Sequence, residues 1–360
     1  MGDVNGQHTF GSEGPPDTYS EAVYEGAVRL IGSEPLHTPS GNPGNSGNEP
    51  WWSSSIAGSD LDSTVYPPLT YLVERVITEG SLTLLAGPPK AGKSYAAFSF
   101  ACAVAAGGMA LGGLASTGPF GVLMVSLDDQ SRARAQRRLR EVMEGAPIPE
   151  NITLHTEANL GQGKAAAASI IEYLDGHPDT RLVVVDTLEH LRGITTAGES
   201  SYTADVRFLG YLRAVLTNHP KVTLLVLVHT RKGENDDPIS AVSGTHGVSG
   251  GADAVLVITG KRGAPRRILD VVGRDAEDAR LVLAWTDHGL SLTDEDPDDP
   301  TLLMTKDDAA VYLAVKDCKD PVSAKDLELI LELPKIGNRL AKLANDGHLR
   351  KTGRGLYEVA

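Results

Sequence analysis

The chain runs to 360 residues, enough for one large core and a small second domain. Its 47 acidic against 33 basic residues leave a formal net charge of −14, so the overall field repels nucleic acid and anionic lipid, and any DNA contact must rest on a locally basic surface. Cys102 and Cys318, far apart and in runs that read as helical, exclude a disulfide framework and a thiolate metal cluster, and they suit a reducing cytoplasm.

Residues 1–62 are rich in Gly, Pro, Ser and Asn and hold one basic residue, Arg29. Such a stretch buries too little apolar surface to offset its ordering entropy, so it is expected to be a disordered tail. Within it, 19–31 reads as a transient helix, and Trp51 and Trp52 are candidates to dock on the body or on a partner. No basic region precedes an apolar core, so no secretion signal is expected.

From 63 to 292, apolar strand-like runs alternate with helical patterns, which predicts an α/β domain with a parallel sheet flanked by helices. The predicted strands are 81–86, 122–126, 182–185, 223–228, 254–258 and 268–272. The last two, with 281–285, read as a meander finishing the sheet. The uncharged stretch 96–114 is dominated by Ala and Gly, so its transfer into lipid would be poor; it reads as core and not as a membrane span.

Between the first strand and a predicted helix over 94–106 lies Gly87-Pro88-Pro89-Lys90-Ala91-Gly92-Lys93-Ser94, which fits G-x-x-x-x-G-K-[ST]. Glycines let backbone N–H groups wrap phosphates, and the helix behind the loop, with Tyr95 in its first turn, adds its positive end. This predicts a nucleoside triphosphate site for ATP with Mg2+, Lys93 reaching the β and γ phosphates and Ser94 ligating the metal. The run 181–187 is an apolar strand ending in Asp186, which would hold Mg2+ through its water shell. The run 121–129 is a third strand ending in Asp128 and Asp129. Either aspartate could orient the attacking water or cap the helix predicted over 131–141. A further strand ends at His229, readable as a γ-phosphate sensor or as a packed histidine.

Taken together, these strand ends resemble the RecA-like ATPases, and among them the RepA-type replicative helicases of plasmids, phages and mobile elements. The matching stretches are 89–94, 125–129 with its arginine-rich helix, 185–187, 228–233, 250–254 and 272–275. The resemblance implies that Lys93 and Ser94 are the Walker A groups and Asp186 the Walker B aspartate. It puts Asp128 where the family usually carries a catalytic glutamate, one methylene longer, and His229 on the sensor histidine. It also implies a homo-oligomeric ring, with a hexamer the size to test, in which a neighbour's basic residue completes each site. Arg274 is the candidate arginine finger, with an ion pair to Asp275 or Asp278 as the alternative. In such rings the segment 231–251 lines a channel for single-stranded DNA, although here Glu234, Asp236 and Asp237 oppose Arg231 and Lys232.

Residues 293–301 form an acidic, proline-broken linker. Beyond it, 302–360 reads as three helices (306–317, 323–331, 335–345) and a hairpin over 348–359, a pattern that resembles a winged helix-turn-helix. Asn338, Arg339 and Lys342 would face the major groove, and Arg350, Lys351 and Arg354 the phosphates. The expected function is an ATPase acting on DNA, with a ring helicase in first place and an ATP-switched initiator or regulator in second. A small-molecule kinase comes third, because no acceptor site or lid is legible.

Overall fold

A computed structural model of the protein describes residues 55–127, 131–193, 200–230, 251–260 and 264–360. The chain divides into two compact units between Val65 and Tyr66. In the first, the described part holds helix α1 (Gly58–Ser63), which buries none of its residues. It falls at the end of the stretch expected to be disordered; residues 1–54 lie outside the described set.

The second unit opens with the short pair β1 (Tyr71–Val73) and β2 (Ile77–Thr78), followed by β3 (Leu82–Gly87) and helix α2 (Lys93–Ala106). A second small pair, β4 (Met109–Ala110) and β5 (Leu114–Ala115), leads to β6 (Gly121–Ser126), α3 (Arg132–Val142), β7 (Ile152–His155) and α4 (Lys164–Gly176). Next come β8 (Thr180–Asp186), α5 (Leu188–Arg192), α6 (Ser201–Asn218), β9 (Thr223–His229) and β10 (Ala254–Thr259). The meander β11 (Arg266–Gly273), β12 (Ala279–Thr286) and β13 (Gly289–Thr293) follows. The order across the sheet is β13-β12-β11-β10-β3-β9-β8-β6-β7. From β10 to β7 every pairing is parallel, and from β10 to β13 every pairing is antiparallel.

Alternation along each central strand sorts the side chains into two cores, as the two-residue period of a strand requires. Leu85, Val122, Met124, Leu182, Val184, Leu225, Leu227, Leu256 and Ile258 pack with α2 and α3 on one face. Leu84, Ala86, Leu123, Val125, Val183, Val185, Val226 and Val257 pack with α4, α5 and α6 on the other. Both faces are therefore apolar, which is why these strands read as continuous hydrophobic runs. Helix α2 is buried along most of its length; its alanines let it lie close on the sheet, and Gly107, at φ 69°, ends it in the left-handed conformation. Residues 96–105 of the uncharged stretch at 96–114 are thus core, while Met109, Gly112 and Gly113 beyond the helix are exposed, and among the described residues no helix is long and apolar enough to cross a membrane.

The structure extends and corrects the predicted elements. Strands β7 and β13 join the sheet without having been predicted, and Thr293 belongs to β13, so the acidic segment starts one residue later. That segment is not a loose tether. Glu295 pairs with Arg266 and Asp298 with Arg280, while Leu302 is buried with Ile268 and Val282. Helix α3 is capped by Ser131, whose hydroxyl accepts from the Arg134 N–H at 3.3 Å, so the capping role weighed for Asp128 or Asp129 goes to a third residue.

The C-terminal part contains α7 (Lys306–Asp317), β14 (Val322–Ser323), α8 (Ala324–Glu328), α9 (Ile336–Asn345), β15 (Leu349–Gly353) and β16 (Leu356–Val359). Its three strands form an antiparallel sheet in the order β14-β16-β15, and β14 was not predicted. Helix α8 is shorter than the predicted 323–331; Ser323 and Asp326 close a capping box at its start. Val311, Leu327, Ile336, Leu340 and Leu349 form a core of their own.

Candidate functional site

The loop between β3 and α2 sits at the carboxyl end of a central parallel strand, where open α/β sheets place their ligands. Its backbone demands glycine at two positions. Gly87 has φ 157°, and a Cβ there would lie 2.6 Å from the Ile258 carbonyl oxygen. Gly92 has φ 114°, and a Cβ there would lie 2.6 Å from Leu290 Cδ1. Lys90 adopts the left-handed region as well, at φ 67°. Pro88, Pro89 and Ala91 complete the curve, with the Ala91 N–H donating to the Pro88 carbonyl at 3.2 Å. Gly92 then caps α2, whose first turn, from Lys93 to Tyr95, follows the loop directly; a helix start of this kind suits an anion.

Four predicted residues are brought together at this point. The buried Lys93 Nζ donates to the Gly87 carbonyl at 2.7 Å and the Pro88 carbonyl at 3.3 Å, and it lies 3.2 Å from His229 Nδ1. A protonated lysine makes Nδ1 the acceptor and leaves the imidazole hydrogen on Nε2. His229 ends β9, the strand inserted between β3 and β8, and pairs in register with Gly87. On the next strand, the Asp186 Oδ2 accepts from the Ser94 hydroxyl at 3.1 Å. A hydroxyl and a carboxylate side by side are hard oxygen donors of the kind Mg2+ takes, with waters and phosphate oxygens filling the remaining positions. The glycine cradle and this donor pair fit a metal-bound triphosphate.

The remaining site residues stand differently. Asp128 and Asp129 lie outside the described residues, but Leu127 before them is fixed, its N–H donating to the Asp186 carbonyl at 2.8 Å. The Tyr95 side chain turns away from the loop. Its hydroxyl donates to Glu141 Oε2 at 2.7 Å, and burial, then the bond to Glu141, push its pKa up, so the side chain is committed to α3. Arg274 follows β11, which runs antiparallel to β10, so it lies at the opposite end of the sheet from Gly87. Its N–H donates there to the Asp253 carbonyl at 2.9 Å. Arg274 therefore cannot serve its own loop. Of the segment expected to line a channel, 231–251, residues 231–250 lie outside the described residues.

In the C-terminal part, the cations expected to meet DNA are largely engaged within the chain. Arg339 donates to Asp308 Oδ1 at 2.8 Å and to Asp307 Oδ2 at 2.5 Å, and Lys342 pairs with the same Asp308. Asp308 is 2% exposed. Burial pushes its pKa up, but the bonds from Lys342, Arg339 and Thr305 outweigh that and hold it below the usual carboxylate range. Arg350 pairs with Glu358 across the hairpin. Lys351 and Arg354 are exposed at the hairpin and make no such pair among the described residues.

Residues that sequence reasoning did not find also shape the loop. Leu290 and Trp285, from the β12–β13 hairpin, press against Gly92, and Gly289 abuts the Tyr95 ring. Nothing local in the sequence signals these contacts, since they depend on how the meander curls back over α2.

A profile described as an AAA domain matches residues 55–235, half of the chain. No curated protein matches the sequence. Among solved structures, one described as an ATPase domain matches with a TM-score of 0.50 at 13% identity, covering 66% of this chain and 95% of that one. The RadB recombinase matches with a TM-score of 0.43 at 17% identity, covering 60% and 92%. The likeness to the ATPase domain bears on fold alone, and that fold is RecA-like.

Proposed function

From the premise that this chain belongs to the AAA domain family, we propose that it binds ATP with Mg2+ and hydrolyses the terminal phosphate. The observation that carries this is the convergence of Lys93, Ser94, Asp186 and His229 at the ends of three adjacent strands. Lys93 would leave its carbonyl partners for the phosphates, and Ser94 and Asp186 would hold the metal. Bound Mg2+ would neutralise charge on the β and γ oxygens. His229, already against Lys93, would report the γ-phosphate to the chain that follows β9. Asp128, one residue past Leu127, would orient the attacking water, with Asp129 beside it.

The activity is proposed to act on DNA as a homo-oligomeric ring helicase of RepA type, a hexamer in the simplest case. Arg274, remote from its own loop, would complete a neighbour's site. The C-terminal part is proposed to be a winged helix-turn-helix over 302–360, following an ATPase domain over 63–292. Because Arg339, Lys342 and Arg350 are held in ion pairs, DNA contact would fall to Lys351 and Arg354. This favours backbone contact over the base-reading regulator of the second reading. ATP hydrolysis with and without single- and double-stranded DNA, beside native mass measurement with nucleotide, tests the proposal. Stimulation by single strands and a nucleotide-dependent oligomer are expected. A monomer indifferent to DNA would refute the ring helicase.

A further inference from the structure

We infer that the indole of Trp285 is the platform on which the base of the bound nucleotide stacks. This rests on the ATP-site reading and adds the part of the site that recognises the nucleoside. The direction of the ligand comes from the sheet. Lys93, Ser94, Asp186 and His229 fix the terminal phosphates on the β9–β8 side of β3. A triphosphate lying along the loop then leads its nucleoside the other way, towards β10, β11 and β12.

Trp285 stands on that side. A Cβ on Gly92 would lie 3.2 Å from its Cζ2, so the indole borders the phosphate loop itself. The residue is nevertheless 37% exposed, whereas Leu290, which shares the contact with Gly92, is buried. A side chain serving only to prop the loop would be covered as Leu290 is. The indole is also held firmly. Tyr95 meets it edge to face, with centroids 5.5 Å apart and planes at 86°.

Behind it lies an unusual group. Arg267 stacks its guanidinium over the indole, 5.9 Å from the ring centroid. Arg267 is 6% exposed, and among the described residues it forms no ion pair and leaves its buried Nε without a hydrogen-bond partner, while Nη1 donates to the Ala264 and Arg266 carbonyls. Burial pushes its pKa down, though a guanidinium stays charged. A buried cation without a carboxylate is tolerated here by the indole face, which offers cation–π attraction. Arg267 thus takes one face of Trp285 and rigidifies it, and a base would stack on the other. Stacking of this kind tolerates any base.

The test uses the full chain and two probes, ATP and inorganic tripolyphosphate, titrated calorimetrically into wild type, Trp285→Ala and Trp285→Phe. Trp285→Ala is expected to weaken ATP by about tenfold, the effect of losing one stacked base. Tripolyphosphate, which lacks a base, should be weakened far less than ATP by Trp285→Ala, and Trp285→Phe should recover most of the ATP affinity. With Trp51 and Trp52 changed to Phe, Trp285 is the single tryptophan, and ATP should quench its emission more than tripolyphosphate does. Equal weakening of both ligands by Trp285→Ala would overturn the inference and make the indole a prop for the loop. No weakening of either would overturn it too. Wild type binding neither ligand would refute the ATP site itself, and this inference with it.

Discussion

Gly92 shows how narrow the tolerance of the phosphate loop is. Its φ of 114° suits glycine, and the space a Cβ would need is taken by Leu290 and Trp285. Gly92→Ala is expected to cost on the order of 1–3 kcal/mol in backbone strain, before the clash is added. Thermal melting should show a lowered midpoint, and calorimetry should show ATP binding lost; unchanged melting and unchanged binding would contradict the loop geometry. The residues of the site that were legible in the sequence share one property. Lys93, Ser94, Asp186 and His229 each sit at the end of an apolar strand or the start of the helix after it, where chemistry and local pattern coincide. Trp285 also ends a predicted strand, but neither it nor Leu290 carries a chemistry-bearing motif, and only the packing of distant elements brings them to the loop.

Elements were legible in proportion to how completely they are buried. The five central strands of the sheet, from β6 across to β10, have apolar side chains on both faces, and their runs stand out. Strand β7 lies at the sheet edge and is only half buried, and β14 is two residues long, so neither produces a run. Helix α9 departs furthest from its sequence reading. Arg339 and Lys342 share one side of it, which in the sequence reads as a surface for phosphate, but Asp307 and Asp308 on α7 claim them both. The pairing ties two elements that the sequence separates by a whole helix and turn.

The Asp308 pKa is depressed in the folded state, so its contribution to stability is present above the unfolded value, about 3.9, and is lost as pH falls through the folded value. The α7–α9 contact should therefore loosen below about pH 4, visible as loss of near-ultraviolet dichroism from the buried Tyr312 and Tyr357. Asp308→Asn should flatten that acid dependence; an acid transition unchanged in the variant would assign it elsewhere. On the hairpin, the double change Lys351→Ala and Arg354→Ala should weaken duplex binding for all sequences alike. It should also reduce the slope of log affinity against log salt by about 2, one unit for each phosphate contact. Loss of binding confined to one sequence would mean that the hairpin reads bases.

The whole molecule carries a net charge of −14, so the DNA-directed ring proposed above would have to gather its cations locally and in repeated copies. A ring does this by presenting the same few residues from every subunit. Arg274 fits that geometry, since the end of the sheet remote from its own loop can face a neighbour's. The segment expected to line the channel, 231–251, follows His229 in the chain after Thr230, so contact with the γ-phosphate and contact with a strand would be joined through one stretch of chain. That coupling is what separates a motor from a switch.

The most direct test of the account is phosphate release from Mg2+·ATP by wild type and by Lys93→Ala, each with and without single-stranded DNA. Lys93→Ala should lower turnover on the order of 10²–10³-fold, as loss of one charge-stabilising donor does. The wild-type rate should rise with single strands. Equal phosphate release by the two proteins would contradict the assignment of the 87–94 loop as the catalytic nucleotide site.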